Sequence, residues 1–143
     1  MATTGLEVFD RSVHKANEWL ADLCAELGTE DRREAYRVLR AYLHLVRDRL
    51  VVDEAADLAA QLPHLLRGVY YEGWDPSKTP ERYGSRDEFL RRLAEDAQLA
   101  GPTEASHAAD AATRVLRRHV TEGEVQDLLD MLPDSIRRVL EPS

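Results

Sequence analysis

The chain has 143 residues, of which 43% are hydrophobic and 32% charged, and its formal net charge is −8. This size fits one ordinary domain or two small ones, and the negative charge weighs against DNA or anionic membranes as partners, because binding them requires neutralisation of phosphates. With no membrane-length apolar run, no secretory leader and a single cysteine, Cys24, the composition predicts a soluble cytoplasmic protein.

The first predicted helix runs from Leu6 to Leu27 and carries one apolar stripe with steps of three and four. Its members are Phe9, Val13, Ala16, Leu20, Leu23 and Leu27. Gly28 should end this helix, because glycine adopts the left-handed conformation after a helix without strain. Thr29 is then expected to cap the second helix.

The second predicted helix, from Glu30 to Val51, is apolar over an unusually wide arc. Two adjoining stripes make up the arc. One contains Tyr36, Leu39, Leu43, Val46 and Leu50, and the other contains Ala35, Val38, Tyr42 and Leu45. A helix of this kind packs on more than one side, so we expect it to be central. A third helix should start at Asp53, and Pro63 suits the first turn of a fourth.

A segment rich in glycine and proline then interrupts the helical pattern, and we predict a linker at residues 75–84. Tyr70, Tyr71, Trp74 and Tyr83 cluster around it. These aromatics have two interpretations. They are a hydrophobic clasp that holds the linker against the bundle, or a recognition surface, since tyrosine and tryptophan are favoured anchors at interfaces.

Four further helices are predicted after the linker. Ser85 with Glu88, and Thr121 with Glu124, have the spacing of capping boxes at the starts of the fifth and seventh helices. Thr103 is expected to cap the sixth helix, after Gly101 and Pro102, and Pro133 to open the eighth.

Residues 18–70 recur as residues 88–140 at a constant offset of seventy. The matched pairs include Trp19 with Phe89, Leu23 with Leu93, Arg47 with Arg117, Leu58 with Leu128 and Arg67 with Arg137. A period of this length indicates one supersecondary unit built twice. The predicted fold is therefore all-α, with four-helix repeats at 1–74 and 85–143 joined by the linker and packed into one compact bundle.

The sequence contains no motif that predicts catalysis. It has no nucleophile elbow, phosphate-binding loop or dinucleotide fingerprint. Glu104 and His107 have the spacing of a di-iron ligand pair, but Arg37 stands where the first repeat would need the second histidine. We therefore expect a protein that is not an enzyme, with no catalytic residue, no metal and no cofactor such as haem.

The second predicted helix also carries a basic stripe with steps of four and three. Its members are Arg33, Arg37, Arg40, His44 and Arg47. The stripe could contact an acidic partner, a ligand or a nucleic acid, or its side chains could pair with acidic residues of the same chain, such as Asp22, Glu26 or Asp57. The stripe and three linker aromatics, Tyr71, Trp74 and Tyr83, form the candidate interaction surface.

Three sequence blocks resemble a bacterial family known as domain of unknown function 2267. They are DRREAYRVLR at 31–40, EAADLAAQLP at 54–63 and LRGVYYEGW at 66–74. The resemblance implies a small, soluble, all-helical protein and carries no assigned activity. The leading hypothesis is a non-enzymatic protein that binds another protein, with self-association left open. The alternative is a ligand- or nucleic-acid-associated regulator that uses the basic stripe, followed by a metal or haem protein.

Overall fold

The computed structural model describes residues 4–82 and 84–141, apart from the side chain of Ser135, and regular structure in this part of the chain is helical throughout. The helices of the first half are α1 (Glu7–Leu27), α2 (Arg32–Asp48), α3 (Val52–Ala60) and α4 (His64–Tyr71). Those of the second half are α5 (Arg86–Asp96), α6 (Pro102–His119), α7 (Glu122–Met131) and α8 (Asp134–Arg137). Short 3-10 helices lie at Pro76–Lys78 and Arg138–Leu140. The all-α prediction is confirmed.

The apolar stripe of α1 is buried only in the C-terminal part of the helix. Of the stripe, Leu23 is buried, Ala16, Leu20 and Leu27 are partly buried, and Phe9 is 56% exposed. Trp19, which lies beside the stripe, is also in the core. The first turns of α1 pack instead on α4, where the Ser12 hydroxyl accepts a hydrogen bond of 2.9 Å from the Leu65 amide. Gly28 ends the helix as predicted, with a φ of 76°.

The cap of α2 differs from the prediction, because Asp31 and not Thr29 occupies the cap position. The Asp31 carboxylate accepts a hydrogen bond of 2.9 Å from the Arg33 amide. The Thr29 amide donates to the Cys24 carbonyl at 3.0 Å. Thr29 therefore completes the C-terminal turn of α1 and cannot also start α2.

Helix α2 is central, as its wide apolar arc predicts. Both stripes are buried, with Tyr36 as the exception at 39% exposure. The Tyr42 hydroxyl lies 2.8 Å from Thr113 Oγ1 in the buried contact between α2 and α6. Desolvation raises the pKa of Tyr42, so the hydroxyl stays neutral and the two side chains satisfy each other.

The hydroxyl residues predicted to cap α5, α6 and α7 do so in two cases out of three. Ser85 Oγ accepts from the Glu88 amide at 3.0 Å, and Thr121 Oγ1 accepts from the Glu124 amide at 3.4 Å. Thr103 is not the cap of α6. Gly101 holds that position and Pro102 is the first helical residue, where its missing amide hydrogen costs nothing.

Four helices, α1, α2, α5 and α6, form the centre of the molecule. α1 and α5 each pack against both α2 and α6, while α3 contacts α4 and α7. Buried apolar residues from both halves form one continuous core, in which Trp19, Tyr42, Tyr70 and Phe89 are the largest side chains. Full burial of a side chain of this kind contributes about 2–3 kcal/mol.

Candidate functional site

Arg47, the last residue of the predicted basic stripe, is a structural residue inside the bundle. It is 4% exposed. Its Nη1 donates to the carbonyl oxygens of Tyr70 and Glu72 at 2.7 and 2.8 Å, and its Nε donates to Asp48 Oδ1 at 2.8 Å. These bonds attach the C-terminal end of α4 to α2 and compensate the buried charge.

Three other members of the stripe also bond within the chain. Arg40 Nε lies 2.7 Å from Glu72 Oε1, and Arg37 Nε donates to the Ala97 carbonyl at 3.3 Å. His44 Nε2 lies 2.6 Å from the Val69 carbonyl and therefore carries the hydrogen.

Burial lowers the pKa of His44, which keeps the ring neutral. Arg33 is exposed. Most of the stripe is thus engaged in hydrogen bonds and ion pairs within the chain. The partners in these bonds are Glu72, Asp48 and backbone carbonyls, and they differ from the acidic partners suggested by the sequence.

The linker aromatics pack on the bundle. Tyr70 is buried and its hydroxyl donates to the Ala55 carbonyl at 2.8 Å. Trp74 is partly buried against the core, with its ring centroid 5.2 Å from that of Tyr71. The Trp74 indole Nε1 is buried and has no hydrogen-bond partner among the described residues. Tyr83 lies outside the described residues, so its predicted role stays a prediction.

The histidine–carboxylate pairs of the sequence do not converge on a common point. His107 Nε2 faces the Leu27 carbonyl at 3.4 Å, whereas Glu104 Oε2 accepts from the Ala100 amide. His14 Nε2 lies 3.0 Å from Glu18 Oε1 one turn further along the surface of α1. Another histidine–carboxylate contact joins the two halves, with His119 Nε2 2.7 Å from Asp22 Oδ2.

Three carboxylates meet where α3 packs on α7. Ligand oxygens of Glu54, Asp57 and Glu124 lie within 4.8 Å of one another. Desolvation, followed by repulsion from Glu54, Asp57 and Asp127, raises the pKa of Glu124 to about 7. Desolvation likewise raises the pKa of Glu54. Acidic clusters are common without an ion, so we treat this one as an electrostatic feature of the contact between α3 and α7.

An apolar groove opens between the first turns of α1 and the start of α4; we call it the α1–α4 groove. It has a volume of about 340 Å³ and is lined by Thr4, Phe9, Ser12, Val13, His64 and Leu65. Phe9 is 56% exposed and Leu65 47% exposed. The sequence analysis missed this groove, because Phe9 falls on the same stripe as buried residues and nothing local shows where the core ends.

A larger and more polar cavity lies beside the linker; we call it the linker pocket. Its volume is about 780 Å³, and its lining includes the four cationic side chains Arg49, Lys78, Arg82 and Arg92, with one carboxylate, Glu81. These residues come from the end of α2, from the linker and from α5. No spacing rule connects them in the sequence, and only the folded linker brings them together.

Comparison with known proteins identifies the family. Residues 16–139 match the family described as "Uncharacterized conserved protein (DUF2267)". The chain belongs to this family, since the match covers nearly its whole length. No curated protein matches the chain. Within the described ranges, no helix combines the length and apolar character that crossing a bilayer requires.

Proposed function

We propose that this member of the DUF2267 family is a non-enzymatic protein that binds a protein partner in the α1–α4 groove. The observation that carries the proposal is the exposed apolar lining of the groove. Phe9 on α1 and Leu65 on α4 both line the groove, and both are exposed. Apolar surface of this kind on a folded protein marks contact sites, and phenylalanine is a preferred side chain at the centres of interfaces.

The walls of the groove are held together, which supports binding without rearrangement. Ser12 on α1 is buried, and its hydroxyl accepts the hydrogen bond of 2.9 Å from the Leu65 amide on α4. This bond fixes the separation of the two helices. A partner therefore loses little free energy in ordering the site. The lining suits an amphipathic helix that inserts one large apolar side chain.

The surface predicted from the sequence offers less support for contact with a partner. Arg37, Arg40, His44 and Arg47 are engaged within the chain, and Trp74 is partly buried with its indole Nε1 shielded from solvent. We therefore assign the contact to the groove and leave the stripe a structural role. As part of the same proposal the protein works in the cytoplasm, a location that the free, partly buried Cys24 suits.

A photo-crosslinking amino acid at position 9 tests the proposal in living cells. The crosslinked partner is identified, and its affinity is then measured by calorimetry for the wild type, Phe9→Gln and Leu65→Gln. Each substitution should weaken binding by about tenfold or more, as expected for a central apolar anchor. Met131→Gln is the matched control, because Met131 is an exposed apolar residue on α7, outside the groove.

Equal affinity of the partner for the wild type and for Phe9→Gln would refute the assignment of the groove. Absence of any crosslink above that obtained from position 131 would refute it equally. Sedimentation of the wild type and of Phe9→Gln identifies the case in which the partner is a second copy of this chain. In that case the wild type is a dimer that the substitution dissociates.

We also propose that the chain is a duplicated helical unit related by the offset of seventy residues. Two features support this proposal. Trp19 and Phe89 are buried at matched positions, as are Leu58 and Leu128. The helix contacts are also exchanged as a twofold relation requires, since α1 with α6 has its counterpart in α5 with α2. In a crystal structure, superposition of residues 18–70 on 88–140 tests it, and differing helix crossing angles would count against it.

A further inference from the structure

The linker pocket concentrates positive charge in a protein whose overall charge is negative. Four cationic side chains line it, against a single carboxylate, while the whole chain carries a formal charge of −8. At physiological ionic strength the Debye length is about 8 Å, so an anion inside the pocket experiences the nearby arginines and the lysine far more than the distant acidic surface.

The linker is held in place by specific hydrogen bonds, so the pocket is preformed. The Glu81 amide donates to the Asp48 carbonyl at the end of α2, at 2.6 Å. Asp75 caps the 3-10 helix at Pro76–Lys78 by accepting from the Ser77 amide at 3.0 Å. The Lys78 side chain is 80% exposed, and its Nζ lies 3.9 Å from Asp75 Oδ2.

The carboxylate of Glu81 is paired with one of the cations that line the pocket. Its Oε2 lies 2.6 Å from Arg92 Nη1, while the Nε of the same arginine bonds to Glu88 at 3.0 Å. A carboxylate paired with an arginine has the geometry that a phosphate oxygen adopts on the same guanidinium. Glu81 therefore acts as a resident counter-anion that a ligand must displace or share.

We propose that the linker pocket is a binding site for a small phosphorylated molecule, with Arg82, Arg92 and Lys78 as its phosphate contacts and Glu81 as a competing internal anion. A cavity of about 780 Å³ lies within the range of small-molecule sites, roughly 300–1,000 Å³. Arginine is the preferred partner of phosphate because its planar guanidinium donates two parallel hydrogen bonds.

A nucleic acid fits the pocket less well than a small phosphate ester. A long polyanion would lie along a surface of net negative charge, and its affinity would depend on neutralising many phosphates in succession. The four cations instead surround one cavity. The proposal involves different residues from the α1–α4 groove, so it stands or falls independently of the proposed protein partner.

Isothermal titration calorimetry with inorganic pyrophosphate as the probe tests the site. The wild type should bind pyrophosphate with a Kd below about 1 mM. Arg82→Glu and Lys78→Glu should each weaken binding by about tenfold or more, since both remove an attraction and add a repulsion. Both side chains are exposed, so the folding of these variants should be preserved, which circular dichroism verifies.

Two further variants distinguish a pocket from a general charge effect. Arg33→Glu makes the same charge change about 24 Å from Arg49 along α2, at 1.5 Å per residue, and should leave the Kd within about twofold of the wild type. Glu81→Gln removes the competing carboxylate and should tighten binding. A purely structural Glu81 would give no such gain.

Three results would overturn the proposal. The first is a Kd for pyrophosphate weaker than about 1 mM at low salt. The second is equal weakening by Arg33→Glu and Arg82→Glu, which would indicate a non-specific charge effect. The third is tighter binding of a single-stranded oligonucleotide than of pyrophosphate, with an affinity that falls steeply as salt rises, because this would make the surface a nucleic-acid site.

Discussion

Replacing Glu124 by glutamine should stabilise the protein at pH 8 and leave its stability unchanged at pH 4. Glu124 lies in the first turn of α7, next to Glu54 of α3. Oε1 of Glu124 and Oε2 of Glu54 are both buried without a hydrogen-bond partner in the described part of the chain. Two unpaired carboxylates in contact repel each other when both are ionised.

The sign of the effect follows from the raised pKa of Glu124, about 7 in the folded protein. The unfolded chain releases this proton near the ordinary glutamate value, which is lower. Below that value both states are protonated and the carboxyl costs no stability. Between that value and about 7 the unfolded state has lost the proton while the folded state still holds it, so stability falls as the pH rises over this window and levels off above 7. Glutamine carries no charge and avoids the loss.

The magnitude is limited by the partial exposure of the side chain. The full pKa shift corresponds to roughly 3 kcal/mol, at 1.36 kcal/mol per unit. Solvent screening reduces this value for a residue that is not fully buried, and we expect a gain of about 1 kcal/mol at pH 8. For a chain of this length, that gain corresponds to a rise in Tm of about 2–4 °C.

Thermal unfolding followed by circular dichroism between pH 4 and pH 8 provides the assay. Glu122→Gln is the matched control, because Glu122 is an exposed glutamate in the same turn of α7. The control should lose up to about 0.5 kcal/mol at pH 8, since it removes a favourable charge at a helix N-terminus. A Glu124→Gln variant that is less stable than the wild type at pH 8 would show that the carboxylates do not repel each other in solution.

Two further substitutions test the structural roles assigned to the predicted interaction residues. Arg47→Met should lower the free energy of unfolding by about 3 kcal/mol in urea titrations, because it removes the donor that Arg47 supplies to the carbonyls of Tyr70 and Glu72; a loss below about 1 kcal/mol would contradict the assigned bonds. Trp74→Phe should leave the Tm unchanged or slightly raised, because it keeps an aromatic ring and removes an indole N–H that has no partner among the described residues. A clear fall in Tm would show that the N–H is satisfied.

Local sequence signals predicted the helices well where one residue decides the local conformation. Gly28 ends α1 with a positive φ, and Ser85 and Thr121 cap α5 and α7. The same local rules failed at Thr29 and Thr103. In both cases the preceding glycine or proline had already fixed the backbone geometry. The threonine therefore did not lie at the first position of the following helix.

The capping boxes illustrate the limit of local reasoning more sharply. In each box the serine or threonine half forms as predicted. The carboxylate of Glu88 instead pairs with Arg91 at 2.6 Å, and that of Glu124 is directed towards Glu54 by the packing of α3 on α7. A side chain at a helix start has several partners in reach, and the neighbouring helices determine which one it contacts.

The sequence by itself determined the all-helical fold, the central position of α2 and most helix ends, because helical periodicity and terminal residues act within a few positions. Only the tertiary structure decided which charged and apolar residues remain available for contact. Arg47 reads as a surface arginine in the sequence and is buried, whereas Phe9 reads as a core residue and is exposed. The linker pocket likewise exists only because the linker folds back between α2 and α5. Whether a side chain is free to contact a partner depends on which helix packs against its face of the helix. That packing is determined by contacts between residues far apart in the chain.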